Sequence, residues 1–276
     1  SSEKKLIIGG ECNLWSERIT NEDELDNKAF PRLLAMSEVL WRNPEKKNYT
    51  IFQNRVQEQY PILDAMNVKY GIEAEPVIIE IKKINNNYKA KISSKVKGLN
   101  FKYKFNENKF IPLTKDNSMQ IVKSGKLTVQ AYKGNKTYGK EKKQMISIHL
   151  ANYKKTKYIS KYSDSYKGNG DLSLVDGLLG SLDFKDGRWQ GFWGEDLNCI
   201  IDMETIKEVK TIDINFYQYI NSWILIPKKI ILLSSNDGEN WIEKKKIKNL
   251  DNAKKRGKFI KTITFDNLKF KSRFIK

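Results

Sequence analysis

The sequence predicts a mixed fold: a β/α segment at the N-terminus, then two all-β units. Three observations point there. Leu6-Ile7-Ile8 runs straight into Gly9-Gly10, and apolar residues then recur at helical spacing as far as Tyr60. From Val77 the period switches to two, with short runs such as Ile79-Glu-Ile-Lys-Lys-Ile and Tyr88-Lys-Ala-Lys-Ile. Beyond Asn152 a Gly/Asp-rich stretch, Gly168 to Gly194, leads into long apolar strands.

Residues 1–72 read as strand, loop, helix, helix. Glu22-Asp-Glu-Leu-Asp is read as a polar loop. Pro31 sits where the first turn of a helix tolerates proline. Leu33, Leu34, Met36, Val39, Leu40 and Trp41 give that helix an apolar face, stopped by Asn43-Pro44. Phe52, Val56 and Tyr60, four apart, predict a second helix in which Pro61 makes a kink or marks a restart. One strand and two helices are too little to enclose a barrel-type core. Residues 1–72 are therefore expected to be the truncated end of a larger domain.

Glu73-Ala-Glu-Pro76 reads as a linker, and residues 73–151 as a small β-sandwich. Its strands are expected at 77–84, 88–96, 100–105, 119–122, 126–132 and 144–150. Asn85-Asn86-Asn87, Lys123-Ser124-Gly125 and Lys133-Gly134-Asn135 supply turns. Residues 152–276 form the third unit, with strands expected at 209–217, 223–226, 229–234, 241–247 and 259–265. Ser235-Asn236-Asp237-Gly238 is a hairpin signal. The chain stops at Phe270-Lys-Ser-Arg-Phe-Ile-Lys276, in mid-strand by pattern, so this unit too reads as truncated.

The formal net charge of +18 invites a nucleic-acid partner, but its distribution argues against one. Residues 1–72 hold 10 basic and 11 acidic residues; the rest hold 41 basic and 22 acidic. Arginine, the residue of base readout and bidentate phosphate contact, occurs only at 18, 32, 42, 55, 188, 256 and 273. The lysines mostly alternate with apolar residues, as on a solvated strand face. No nucleic-acid partner is expected. No run approaches the roughly 18–20 apolar residues of a transmembrane helix.

The composition also excludes chemistries. Cys12 and Cys199 fall in different expected units, so a bridge is not expected and both read as buried free thiols. His149 stands alone in the strand-like Met145-Ile-Ser-Ile-His-Leu and reads as structural. One histidine and two scattered cysteines exclude a zinc site of ordinary spacing. Any Ser-His-Asp or Cys-His site would have to include His149.

Trp15 and Glu17 are the residues that suggest chemistry. A pyranose has an apolar C–H face and a rim of hydroxyls; an indole covers the first and a carboxylate accepts from the second. Gly9-Gly10-Glu11-x-x-x-Trp15-x-Glu17, then Phe30-Pro31-Arg32-Leu33-x-Ala35-x-Ser37-Glu38-x-Leu40-Trp41 and Phe52-x-x-Arg55, resemble glycoside hydrolase family 20, the β-N-acetylhexosaminidases. The resemblance covers about residues 6–70. It implies the last strand and helices of an incomplete (β/α)8 barrel. By it, Trp15 walls the −1 sugar subsite and Glu17 holds the sugar's 4- and 6-hydroxyls. Glu11 then braces the strand end, while Arg32 and Glu38 serve helix packing and ion pairing.

The resemblance implies a retaining, substrate-assisted mechanism with an adjacent Asp-Glu pair from an earlier strand. No residue here is assigned to that pair; Glu22-Asp23-Glu24 and Glu195-Asp196 read as solvated loop or turn residues. The parent is thus expected to be an exo-β-N-acetylhexosaminidase acting on terminal non-reducing β-linked GlcNAc or GalNAc. Its partner would be a glycan or chitooligosaccharide, and this stretch alone would be inactive. The alternative is a non-catalytic carbohydrate-binding or adhesive protein that keeps a barrel remnant.

Two further resemblances follow. Residues 73–151 resemble the fibronectin-like C-terminal domain of bacterial chitobiases, with Tyr103-Lys104-Phe105-Asn106-Glu107 where the family carries Tyr-Thr-x-Asp-Gly. In the third unit, Leu174-Val175-Asp176-Gly177, Asp186-Gly187-Arg188-Trp189-Gln190-Gly191-Phe192 and Ser235-Asn236-Asp237-Gly238-x-x-Trp241 resemble a discoidin (F5/8 type C) jelly roll. That resemblance implies a structural calcium ion with Asp176 as ligand, and no cofactor is expected for catalysis. Trp189 and Trp223 are expected in the core as framework residues. Trp193, on a Gly-flanked loop, is the expected glycan contact. The family setting implies an extracellular or periplasmic protein.

Overall fold

A computed structural model of the chain describes residues 8–72, 75–84, 87–107, 109–248 and 256–276. The expected opening strand begins at Leu6, outside the described residues, and residues 8–15 run without regular structure. Parts of the expected linker (Glu73, Ala74) and turn (Asn85, Asn86) also lie outside them.

Among the described residues three α-helices follow: α1 (Glu22–Ala29), α2 (Arg32–Trp41) and α3 (Tyr49–Ala65). The acidic run read as a loop is α1. Asn21 caps it, its Oδ1 accepting the Glu24 N–H at 2.9 Å. Glu24 Oε2 reaches back to the Thr20 N–H and hydroxyl, so the acidic first turn complements the helix dipole. Arg32 Nη1 donates to the Asn27 and Lys28 carbonyls and satisfies the end of α1. Glu38 on α2 accepts from Arg55 Nη2 on α3 at 2.6 Å, with Arg42 Nε 3.5 Å away. Pro61 lies inside α3 and does not end it.

Among the described residues fifteen strands follow. The first seven are β1 (Ile78–Ile84), β2 (Asn87–Ser93), β3 (Asn100–Phe105), β4 (Ile111–Pro112), β5 (Ser118–Ile121), β6 (Gly125–Lys133) and β7 (Lys136–Ile146). The rest are β8 (Lys155–Tyr158), β9 (Leu178–Leu179), β10 (Cys199–Val209), β11 (Ile212–Tyr219), β12 (Lys229–Ser235), β13 (Ile242–Lys248), β14 (Lys258–Phe265) and β15 (Phe270–Ile275). They pair as β1-β2-β5, β4-β3-β6-β7-β9, β13-β12-β15-β10-β8 and β11-β14. The architecture is mostly strand with few helices, and no closed barrel occurs among the described residues.

The chain clusters into two units. One comprises Ser1–Ile78, Ser93–Asn100 and Ala131–Lys140. Its core is Val56, Tyr60 and Leu63 of α3, packed by Phe30, Leu34, Phe52, Val68 and Tyr70. The Tyr60 and Tyr70 rings stack with centroids 4.3 Å apart. The β6–β7 hairpin tip belongs to this unit, where the Tyr138 hydroxyl donates to Gln57 Oε1 on α3 at 3.3 Å.

The second unit takes in the remaining strands. On β1 and β2 burial alternates as the lysine pattern predicts: Ile79, Ile81, Tyr88, Ala90 and Ile92 are buried, while Glu80, Lys82 and Lys91 are exposed. A separate apolar core of Met203, Val209, Leu232, Ile263, Phe265, Leu268 and Ile275 joins the β10/β12/β15 sheet to the β11–β14 pair. Residues 223–226, read as a strand, form a turn and bridge instead, because β11 ends at Tyr219 in a 3-10 turn.

Leu178 and Leu179 pair with Ile146 and Met145, so β9 extends the β4-β3-β6-β7 sheet. Buried Asn152 packs this junction. Its Oδ1 accepts the His149 N–H at 2.6 Å and its Nδ2 donates to Ser147 O at 3.2 Å. That orientation leaves Nδ2 aimed at His149 Nε2, 3.0 Å away, which must then accept and be unprotonated. His149 follows the end of β7 rather than lying in a strand, and burial pulls its pKa down.

A base depressed in the folded state makes stability fall as pH drops below the ordinary histidine range. We expect the thermal midpoint to decline between pH 7 and pH 5. His149→Asn should flatten that decline, because it removes the chain's single histidine. Equal pH profiles for the two proteins would remove His149 from the junction's stability.

Candidate functional site

Trp15 starts from an extended backbone (φ −79°, ψ 123°) and caps a short 3-10 turn, Ser16–Arg18. The turn closes through Ile19 N–H to Ser16 O at 2.9 Å. This places the indole and the Glu17 carboxylate on one short turn. Asn13, Leu14, Trp15, Ser16 and Glu17 line a depression of about 320 Å³ that opens to solvent. Trp15 is 73% exposed and Glu17 is exposed, so both groups are free to meet a ligand. The residue pattern pointed to neither Asn13 nor Ser16. They supply an amide and a hydroxyl at the rim, next to the aromatic face.

The depression combines one flat apolar wall with several polar groups able to exchange hydrogen bonds with a ligand. Glu11, the expected brace, accepts weakly from Asn13 Nδ2 at 3.4 Å. Glu38 and Arg32 engage helix partners, as described above. Cys12 is exposed, not buried, because residues 8–15 form no strand to cover it. Cys199 is half-buried, and burial raises its thiol to about 12, leaving it unreactive.

Asp176 and Trp193 belong to the second unit. Asp176 is 2% exposed; Oδ1 accepts the Leu178 N–H at 2.8 Å and Oδ2 accepts from Asn169 Nδ2 at 3.2 Å. Burial raises its pKa, against the pull of these bonds and of Arg188. Asp176 thus braces the turn that launches β9. The Leu178 N–H is fixed backbone, whereas the Asn169 amide can turn its oxygen outward, so only the Oδ2 side could admit a cation. No group of three or more His, Cys, Asp or Glu side chains suited to a metal occurs among the described residues.

Trp193 is 91% exposed, on a loop whose Gly194 has φ +73°. Trp189 is half-buried: its Nε1 donates to Ser181 O at 2.8 Å and its ring lies 5.4 Å from Tyr217. Trp223, expected in the core, is 91% exposed with φ +58°. The preceding Asn221-Ser222 turn rotates its side chain outward, a signal the apolar run Trp223-Ile-Leu-Ile concealed.

Residues 1–44 match the catalytic domain of Glycosyl hydrolase family 20. A beta-hexosaminidase of Porphyromonas gingivalis is 31% identical over 72 residues, 26% of this chain and 9% of that protein. A beta-N-acetylhexosaminidase of Cellulomonas fimi is 33% identical over 64 residues, 23% of this chain and 13% of that protein. A probable beta-hexosaminidase of Drosophila melanogaster is 32% identical over 79 residues, 24% of this chain and 12% of that protein. The chain spans about a tenth of the length of these curated relatives, and its N-terminal segment is similar to hexosaminidases of glycosyl hydrolase family 20.

Proposed function

We propose that residues 1–72 close the catalytic domain of a longer bacterial exo-β-N-acetylhexosaminidase that removes terminal non-reducing β-linked GlcNAc or GalNAc from glycans or chitooligosaccharides. The observation that carries this reading is the exposed Trp15–Glu17 pair at one open depression within the matched stretch. The indole lies against the C–H face of the terminal sugar, and Glu17 accepts hydrogen bonds from its 4- and 6-hydroxyls. Binding groups that tighten as the ring distorts lower the barrier, and not only KM. The acetamido oxygen of the substrate attacks the anomeric carbon as the glycosidic bond breaks. A glutamic acid outside this stretch protonates the leaving oxygen, and its aspartate neighbour orients the acetamide.

Residues 73–151 then serve as a chitobiase-type sandwich and residues 152–276 as a discoidin-type module, in an extracellular or periplasmic enzyme. Trp193 is the module's glycan contact. A calcium ion there would be structural, held by Asp176 and the turned Asn169 amide. A binding protein with a barrel remnant is the second reading, favoured by the two indoles, Trp193 and Trp223, that stand fully in solvent.

Glu17→Gln in the full-length protein tests the leading reading. Loss of charged hydrogen bonds should cost about 1–3 kcal/mol in kcat/KM, roughly 5- to 150-fold. The loss should shrink for substrates that lack the 4- or 6-hydroxyl. A variant that discriminates these sugars as the wild type does would take Glu17 out of the subsite.

A further inference from the structure

One end of the β10–β15 sandwich collects charge and aromatic surface that the proposed hydrolysis does not use. The loop from β11 to β12 is closed by two backbone hydrogen bonds between Tyr219 and Ile224, at 3.0 and 3.2 Å, and by Trp223 N–H to Ile220 O at 2.9 Å. At its tip Trp223 adopts a left-handed backbone, φ +58°, which costs energy for a residue with a Cβ. The indole is 91% exposed, so no packing compensates. A rigid turn thus holds a large apolar plane in water.

The strand ends on either side of this loop carry lysines. Tyr219 pairs with Lys258 across the β11–β14 ladder, and Lys258 Nζ sits 5.0 Å from the centre of the Tyr219 ring. At the start of β12, Lys229 stands directly opposite Lys248 on β13, next to Lys228. All four lysines are exposed, and none forms an ion pair with a carboxylate among the described residues. Like charges directly opposite on neighbouring strands repel, and a bound anion relieves them.

We propose that Trp223, Lys228, Lys229, Lys248 and Lys258 form a docking edge for an acidic polysaccharide. The indole stacks on a sugar ring while the lysines neutralise its carboxylate or other acidic substituents. The inference rests on the glycan-directed reading and assigns it a second, anionic ligand class. An anionic bilayer could also use lysines and an exposed indole, and it is an outcome of the test.

The test is retention of the whole chain on immobilised polygalacturonate, with chitooligosaccharide beads and phosphatidylglycerol vesicles in parallel. We expect salt-sensitive binding to polygalacturonate, weakened about tenfold by Trp223→Ala and less by Trp223→Tyr. Lys229→Gln/Lys248→Gln should flatten the salt dependence, and thermal unfolding of each variant checks that the fold is intact. Binding that Trp223→Ala leaves unchanged overturns the proposal, as does binding to vesicles with none to polygalacturonate. Binding to chitooligosaccharide alone, lost in Trp193→Ala, overturns it while leaving the glycan-directed reading standing.

Discussion

In the full-length protein, Trp15→Ala is expected to raise KM and lower kcat together, so that kcat/KM falls about 30- to 300-fold. The indole is 73% exposed and sits on a short 3-10 turn, so removing it should leave the fold intact. The loss then reports contact with sugar. A wall that touches ground state and transition state alike would change KM alone. A fall in kcat as well would show that the indole favours the distorted ring. The measurement is hydrolysis of a chromogenic β-GlcNAc substrate over a range of concentrations, with circular dichroism to confirm folding. Unchanged kinetics would remove Trp15 from the subsite.

Gly177→Ala is expected to destabilise the second unit by about 2–4 kcal/mol. Gly177 has φ +75°, where a Cβ is strained in any case. An added Cβ would lie 2.5 Å from the Ser147 carbonyl oxygen and 2.7 Å from Asn152 Nδ2. The first is backbone and cannot swing away without breaking the Ser147 N–H to Gly177 O bond of 2.8 Å. Urea unfolding should show the loss as a lower midpoint with an unchanged slope. A midpoint equal to that of the wild type would mean that the 147–152 segment yields more easily than its bonding suggests.

The sequence made strands of the middle region legible because apolar residues alternate with Glu or Lys over Ile79–Lys82 and Tyr88–Ile92, and burial follows that period. Val56 and Tyr60, four apart, likewise report the buried face of α3. The acidic α1 was missed because Leu25 is the one large apolar residue in Glu22–Ala29, which gives the helix no apolar stripe. Its signal was local: Asn21, with Glu24 three residues on, is a helix start. Only the second half of the β10–β11 pair was read as a strand. A bulge between Asp202 and Lys207, with Glu204 at φ +67°, breaks the period of two. No glycine or proline marks the turn at Lys210-Thr211.

At the candidate site, Trp15 and Glu17 were visible through their spacing after Gly9-Gly10. Asn13 and Ser16 were not, because ordinary polar residues carry no sign of lining a depression. The exposure of Trp223 was hidden for the opposite reason: Trp-Ile-Leu-Ile reads as core, and only backbone geometry shows that the first of the four points out.

The two-residue strand β9 bears on how the protein tolerates cutting. Its partner, the Met145–Ile146 end of β7, has its outer hydrogen-bonding row covered by Leu178 and Leu179. A protease nick or a gene split between Ala151 and Asn152 would leave that row bare on the upstream piece. It would also strand Leu178, 6% exposed in the intact chain, on the downstream one. Bare sheet margins recruit other chains. The separated pieces should therefore clump where the uncut polypeptide stays dispersed, and mixing them should restore solubility.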